Sequence, residues 1–284
     1  MDTKVIKRWA MAGLAALWAG AAMAQTVTAP AMAPAAKAKS DKPKGDGYLG
    51  KEGIPNSITI LPPPPVKGSM DDQRDRAVYL ETRKLAGTPR WTMAASDSVQ
   101  YLQAYDCALG IKLESGPPEV LKVLGRVGRD ASLITNLAKD HYKIPRPFVG
   151  TSDAVCVEKD RSGLTGSPSY PSGHATYSWT VGLILAELAP QHATEILARA
   201  RAFGESRVVC GVHTVSDIEE GRTNGSALVA VLHSDPEFRA DMEAARTALQ
   251  AAMTGAKATM DAAQCKVEAD AELHTPWINP TTGK

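Results

Sequence analysis

The sequence has no C-x-x-C pair, no fixed-period repeat and little strand-like alternation. Each absence closes a class of protein. Without paired-thiolate spacing a structural zinc site has no ligand set, and without a repeat a solenoid has no building unit. Long apolar runs are missing as well. Beyond residue 24 the longest uncharged apolar stretch is roughly Trp179 to Ala186, far below the ~20 residues that a spanning helix needs. No stable membrane insertion is therefore expected of the mature chain. Nor is there an excess of charge: 32 Lys+Arg against 31 Asp+Glu leave a net charge of +1. Coating of nucleic acid has no electrostatic basis at that balance.

What is present begins with a leader. Lys4, Lys7 and Arg8 form a basic front, Trp9 to Gly20 an apolar stretch, and Ala22-Met23-Ala24 an A-x-A site before Gln25. This order is expected of a secretory signal over residues 1–24, cleaved after Ala24, rather than of a retained anchor. No cysteine follows the site, so lipid anchoring has no support. Export to an oxidising compartment sets the reading of Cys107, Cys156, Cys210 and Cys265. One or two disulfides are expected, and all three complete pairings stay open.

Residues 25–70 are rich in Ala, Pro, Lys and Gly and end in "LPPPPVKGS". They read as a flexible arm passing into a polyproline segment. From Asp71 apolar residues recur at three and four positions. That spacing predicts helices over 71–86, 96–109, 117–142, 173–188, 191–209, 214–232 and 236–256. An all-α fold is expected for residues 71–256, a compact helical bundle, with 257–284 as a C-terminal tail. The 44% hydrophobic content is enough for such a core.

Between these helices lie polar segments. In "KDHYKIPRPF" Lys139 and Arg146 flank a turn in which Pro145 and Pro147 pin the backbone around Arg146. A guanidinium held so offers a fixed fork to a phosphate, although basic residues at a helix end are also ordinary partners of its dipole. In "SYPSGHATYSW" Ser172 is expected to cap a helix. Gly173 and His174 would then present free amides to an anion, with His174 over it as a proton donor. In "SRVVCGVHTVSD" His213 and Asp217 are four apart, so on one helical face the carboxylate can hold one imidazole nitrogen. Thr214 to Asp217 also fits a capping box, which alone would account for the acid. Arg207 and His213 share a pocket only if the helix breaks at Gly211. His141, His192, His233 and His274 lie in polar or helix-end contexts without metal-ligand spacing; His141 is close enough to Lys139 for a pocket-edge role.

The order Lys139-x6-Arg146-Pro147, Pro171-Ser172-Gly173-His174, Ser206-Arg207-x5-His213-x3-Asp217 resembles the three-part signature of the type 2 phosphatidic acid phosphatase and vanadium haloperoxidase superfamily. Within it the chain is most similar to the class A bacterial nonspecific acid phosphatases, over about residues 48–250, including "ILPPPPV", "GSPSYPSGHAT" and "GESRVVCGVHTVSD". The resemblance implies hydrolysis of small-molecule phosphate monoesters through a phosphohistidine, without metal or other cofactor. His213 would be the nucleophile, Asp217 its orienting group and His174 the general acid. Lys139, Arg146, Ser172, Gly173 and Arg207 would bind the phosphoryl oxygens. It also implies a periplasmic protein, and related enzymes are commonly homo-oligomers. A vanadate-dependent haloperoxidase would use the same cluster, with His213 on the metal. A phosphate-binding protein would need the cations but not the histidines.

Overall fold

The computed structural model describes residues 47–255 and 260–278. The expected leader, its cleavage site and the arm up to residue 46 lie outside the described residues. Those described are helical and contain no β-strand. The helices are α1 (Gly50–Gly53), α2 (Ser57–Ile60), α3 (Met70–Arg83), α4 (Pro89–Ser96), α5 (Asp106–Leu109) and α6 (Pro118–Tyr142). After them come α7 (Arg161–Thr165), α8 (Gly173–Leu188), α9 (Ala193–Val209), α10 (Val215–Leu232), α11 (Pro236–Thr254) and α12 (Ala262–Leu273). Among the described residues no helix is long and apolar enough to cross a membrane.

Local chemistry starts most of the long helices. The hydroxyls of Ser69, Thr88, Ser172 and Thr214 and the carboxylates of Asp235 and Asp261 each accept a first-turn amide, which satisfies donors the helix itself cannot. α6 instead opens on Pro118 and closes on Lys143, which takes a left-handed φ of 51°. Its apolar face, Val120, Val123, Leu124, Val127, Ala131 and Ile134, is buried. The i, i+3, i+4, i+7 spacing of those residues puts them on one stripe.

That stripe faces α8, which also packs against α9 and α10. α8 is buried on most sides through Val181, Ile184, Leu185 and Leu188, each contributing about 1.5–3 kcal/mol of apolar transfer. Close approach needs small residues at the crossings. A Cβ on Gly221 of α10 would lie 2.8 Å from the Ser172 carbonyl, and one on Gly182 of α8 would lie 2.5 Å from the Ala200 Cβ. The start of α8 is thereby pressed onto α10.

The structure changes three boundaries. Residues 96–109 are not one helix: α4 ends at Ser96, and the chain turns before a short 3-10 segment and α5. The reason is tertiary, because Asp97 is drawn into the interior by Arg199 at 2.6 Å and by the Ser206 hydroxyl at 2.5 Å. The packed chain also begins before residue 70. Tyr48 is fully buried, its amide 2.6 Å from Asp130, its hydroxyl 2.8 Å from Asp241 and its ring 3.8 Å from the Arg126 guanidinium carbon. Finally, the expected tail holds α12, which packs on α4 and α9 and is tied to α5 by Cys107–Cys265. The second disulfide is Cys156–Cys210, so one of the three open pairings is selected.

Candidate active site

Each of the three polar segments ends at the same place. The break expected at Gly211 is present: α9 ends at Val209, Gly211 takes φ 81°, and Thr214 begins α10. His213 therefore sits in the joint between two helices and can turn toward Arg207. Asp217 serves both roles considered for it. Its Oδ2 accepts the Thr214 amide at 3.0 Å, closing a capping box, and also lies 3.0 Å from His213 Nδ1. The Ser169 hydroxyl donates to the same oxygen and stands 3.3 Å from His213 Nδ1.

On the other edge of the imidazole, Arg146 Nη1 lies 2.9 Å from His213 Nε2. A guanidinium only donates, so Nε2 is the acceptor and the proton resides on Nδ1, facing Asp217. Arg146 is locked by further bonds: Nε to the Ser167 carbonyl at 3.0 Å, Nη1 to the Val212 carbonyl at 2.9 Å, and Nη2 to the Ser167 hydroxyl at 3.3 Å. Lys139 reaches across from the last turn of α6 and donates to the carbonyls of Pro168 and Ser169. Arg207 donates to the Ser98 hydroxyl, and its buried Nε has no acceptor.

The loop before α8 presents free amides to the same place. Ser172 is fully buried; its amide donates to the Asp217 carbonyl at 2.8 Å, and its hydroxyl caps the Ala175 amide at 3.3 Å. The next two amides, of Gly173 and His174, have no protein acceptor among the described residues. They add donors and the positive end of the helix dipole to the cation cluster. His174 Nε2 lies 2.7 Å from the Tyr101 hydroxyl and 3.4 Å from the Ser98 carbonyl.

The electrostatics follow from burial. Lys139 is pushed down to about 7, first by desolvation and then by Arg146. Arg146 and Arg207 are each lowered to about 10, desolvation again leading. His213 is held well below the ordinary histidine value by burial, then by Arg146, Lys139 and Arg207. His174 is lowered by burial, Arg207 and His213. Burial raises Asp217, against the hydrogen bonds from Ser169 and Thr214. Among the described residues none of Lys139, Arg146 and Arg207 forms an ion pair with a carboxylate. Desolvated cations without a counter-ion are costly.

Comparison with known proteins agrees with this geometry. Residues 122–240, which include every site residue above except Ser98 and Tyr101, match the PAP2 superfamily. The chain is 41% identical over 219 residues to an acid phosphatase of Zymomonas mobilis subsp. mobilis, covering 75% of this chain and 83% of the relative. It is 38% identical to a non-specific acid phosphatase of Providencia stuartii (70% and 83% covered) and 34% identical to one of Salmonella typhi (68% and 80%). The chain belongs to the non-specific acid phosphatases of the PAP2 superfamily.

For a member of this family, the sequence left four site contacts unread: Ser98, Tyr101, Ser167 and Ser169. Ser167 and Ser169 lie inside the quoted "GSPSYPSGHAT", where nothing local tells a hydroxyl that bonds the site from one that faces solvent. Ser98 and Tyr101 fall inside the expected 96–109 helix, whereas the structure delivers them on the turn after α4. Among the described residues no group of His, Cys, Asp and Glu has the arrangement of a metal site. A cavity of about 250 Å³ touches Ser169, Thr214 and Asp217 but none of the three cations; it reaches the carboxylate edge of the His213/Asp217 pair.

Proposed function

We propose that this chain is an exported, metal-independent acid phosphatase that hydrolyses a broad range of phosphate monoesters through a phosphohistidine on His213. The observation that carries the proposal is the group of three desolvated, carboxylate-free cations around His213, one of which, Arg146, lies 2.9 Å from its Nε2. Acid phosphatase is also the activity named for the relatives.

In the first half of the reaction, Nε2 of His213 forms a bond to phosphorus as the ester P–O bond breaks, and His174 gives a proton to the leaving oxygen. Asp217 stabilises the Nδ1–H side of the ring as positive charge develops. Lys139, Arg146, Arg207 and the Gly173 and His174 amides bind the phosphoryl oxygens as their charge redistributes. In the second half, neutral His174 takes a proton from water, whose oxygen attacks phosphorus and breaks the P–N bond. The residues that start export lie in the leader, with periplasmic delivery as the expected outcome.

The test is acid-free quenching of mature protein with a radiolabelled monoester. Label stable to base and labile to acid is expected on His213, absent from His213→Ala, and formed equally with a chelator present. Turnover lost on chelation and restored by added metal would overturn the mechanism.

A further inference from the structure

We propose that Tyr101 is a positioning residue for His174, holding Nε2 so that proton exchange with the leaving group takes place at Nδ1. The proposal rests on the general-acid reading of His174 and deepens it.

Four observations meet at this ring. The Tyr101 hydroxyl lies 2.7 Å from Nε2, and the Ser98 carbonyl lies 3.4 Å from the same nitrogen. Nδ1 has no protein partner among the described residues. The two rings stack at 5.0 Å with an interplanar angle of 29°. Tyr101 is itself braced edge-on by Tyr177 at 5.3 Å, and Phe203 lies 6.3 Å from the imidazole.

A phenol suits this place because it both donates and accepts. When Nε2 is unprotonated the hydroxyl donates to it, leaving the proton on Nδ1. When the ring is imidazolium, Nε2–H donates to the phenol oxygen or the Ser98 carbonyl, and Nδ1–H is free for the leaving oxygen. After that transfer Nδ1 holds a lone pair for the proton of the attacking water. The ring loses and regains a proton at Nδ1 without turning, because Nε2–H stays on the phenol oxygen or the Ser98 carbonyl throughout. Arg207, His213 and Arg146 all face His174 and disfavour its charged form; a bound phosphate dianion works in the opposite direction. Tyr101 reaches this position only because α4 stops at Ser96.

The experiment compares kcat/KM, which reports phosphoenzyme formation, for an alkyl phosphate and nitrophenyl phosphate. Tyr101→Phe keeps the stacked ring and removes the hydroxyl. The expected result is a loss of about tenfold on the alkyl ester and less than about twofold on the nitrophenyl ester, whose good leaving group needs little protonation. His174→Ala serves as reference, and adding Tyr101→Phe to it should cost nothing more. Equal losses on both esters, with a folded variant by thermal unfolding, would mean a packing role and overturn the proposal. So would no loss on either ester. If His174→Ala shows leaving-group selectivity and Tyr101→Phe does not, the acid survives and the Tyr101 role falls. If His174→Ala lacks that selectivity, the acid reading itself fails. Nitrogen NMR of the ring in the phosphate complex supplies a second readout: the Nε2 resonance should move in Tyr101→Phe, and an unchanged one counts against the proposal.

Discussion

Asp217 holds His213 with the same oxygen that closes the first turn of α10. Oδ2 is 3.0 Å from His213 Nδ1 and 3.0 Å from the Thr214 amide. The cap fixes where the carboxylate stands relative to the helix. The carboxylate in turn fixes the ring, so backbone geometry sets the aim of Nε2.

The two duties can be separated by mutation. Thr214→Ala removes the hydroxyl half of the box and should cost about 1 kcal/mol of stability, with kcat within a few-fold. Asp217→Asn can still accept the Thr214 amide but no longer stabilises the imidazolium. Its kcat should fall by ~10³–10⁴ while stability changes less. Urea unfolding beside steady-state kinetics checks both, and a similar kcat loss in the two variants would contradict the division.

Acid operation follows from the sign of the shifts at the site. His213 is held well below the ordinary histidine value by burial and by Arg146, Lys139 and Arg207, so its Nε2 stays unprotonated into the acid range. Lys139 is lowered to about 7, so its charge is present below that pH and lost above it. In kcat/KM, which reports the free enzyme, loss of that charge should deepen the fall in activity as pH rises through about 7, beyond the fall set at lower pH by His174, which burial and Arg207 lower further. Lys139→Arg should move that deeper fall upward, because a guanidinium keeps its proton. A descending limb left unmoved by the substitution would place it on another group.

The disulfides should differ in effect although both stabilise. Cys156–Cys210 lies against Ser98, whose hydroxyl is 3.9 Å from each sulfur and accepts from Arg207. Replacing that pair with alanines should cost up to about 4 kcal/mol and also raise the KM of monoesters several-fold. Replacing Cys107 and Cys265, which join α5 to α12, should cost stability of similar size and leave KM alone. Thermal unfolding and KM measured on the two double variants decide the matter.

Gly211 is the hinge that lets Arg207 and His213 share a pocket. It has φ 81°, and a Cβ there would lie 2.1 Å from Arg83 Nη1. That guanidinium caps the end of α9 through the carbonyls of Val208 at 2.9 Å and Val209 at 2.5 Å. Gly211→Ala should therefore lose about 2 kcal/mol or more, combining left-handed strain with a displaced cap. Denaturation at unchanged midpoint would show that the joint tolerates another conformation.

Much of this was legible along the chain. The five long helices between residues 117 and 256 follow from apolar spacing, from the start at Pro236 and from the break at Gly211, because periodicity and caps act within a few residues, whereas the short α7 was not anticipated. The eight candidate site residues, Lys139, Arg146, Ser172, Gly173, His174, Arg207, His213 and Asp217, were singled out by the family resemblance of three polar segments, and the structure gathers those segments at helix ends and the turns between them. Sequence could not show that the 96–109 segment breaks, that Cys107 pairs with Cys265, or that α12 docks on α9. Those outcomes depend on Asp97 meeting Arg199 and on Arg199 meeting Glu268 at 3.5 Å, contacts between residues far apart in the chain. Ser98 and Tyr101 came to the site by the same route. The sequence determined which groups are present and the local turns that aim them; the tertiary structure decided which distant groups hold them, because a long-range contact leaves no period in the chain that makes it.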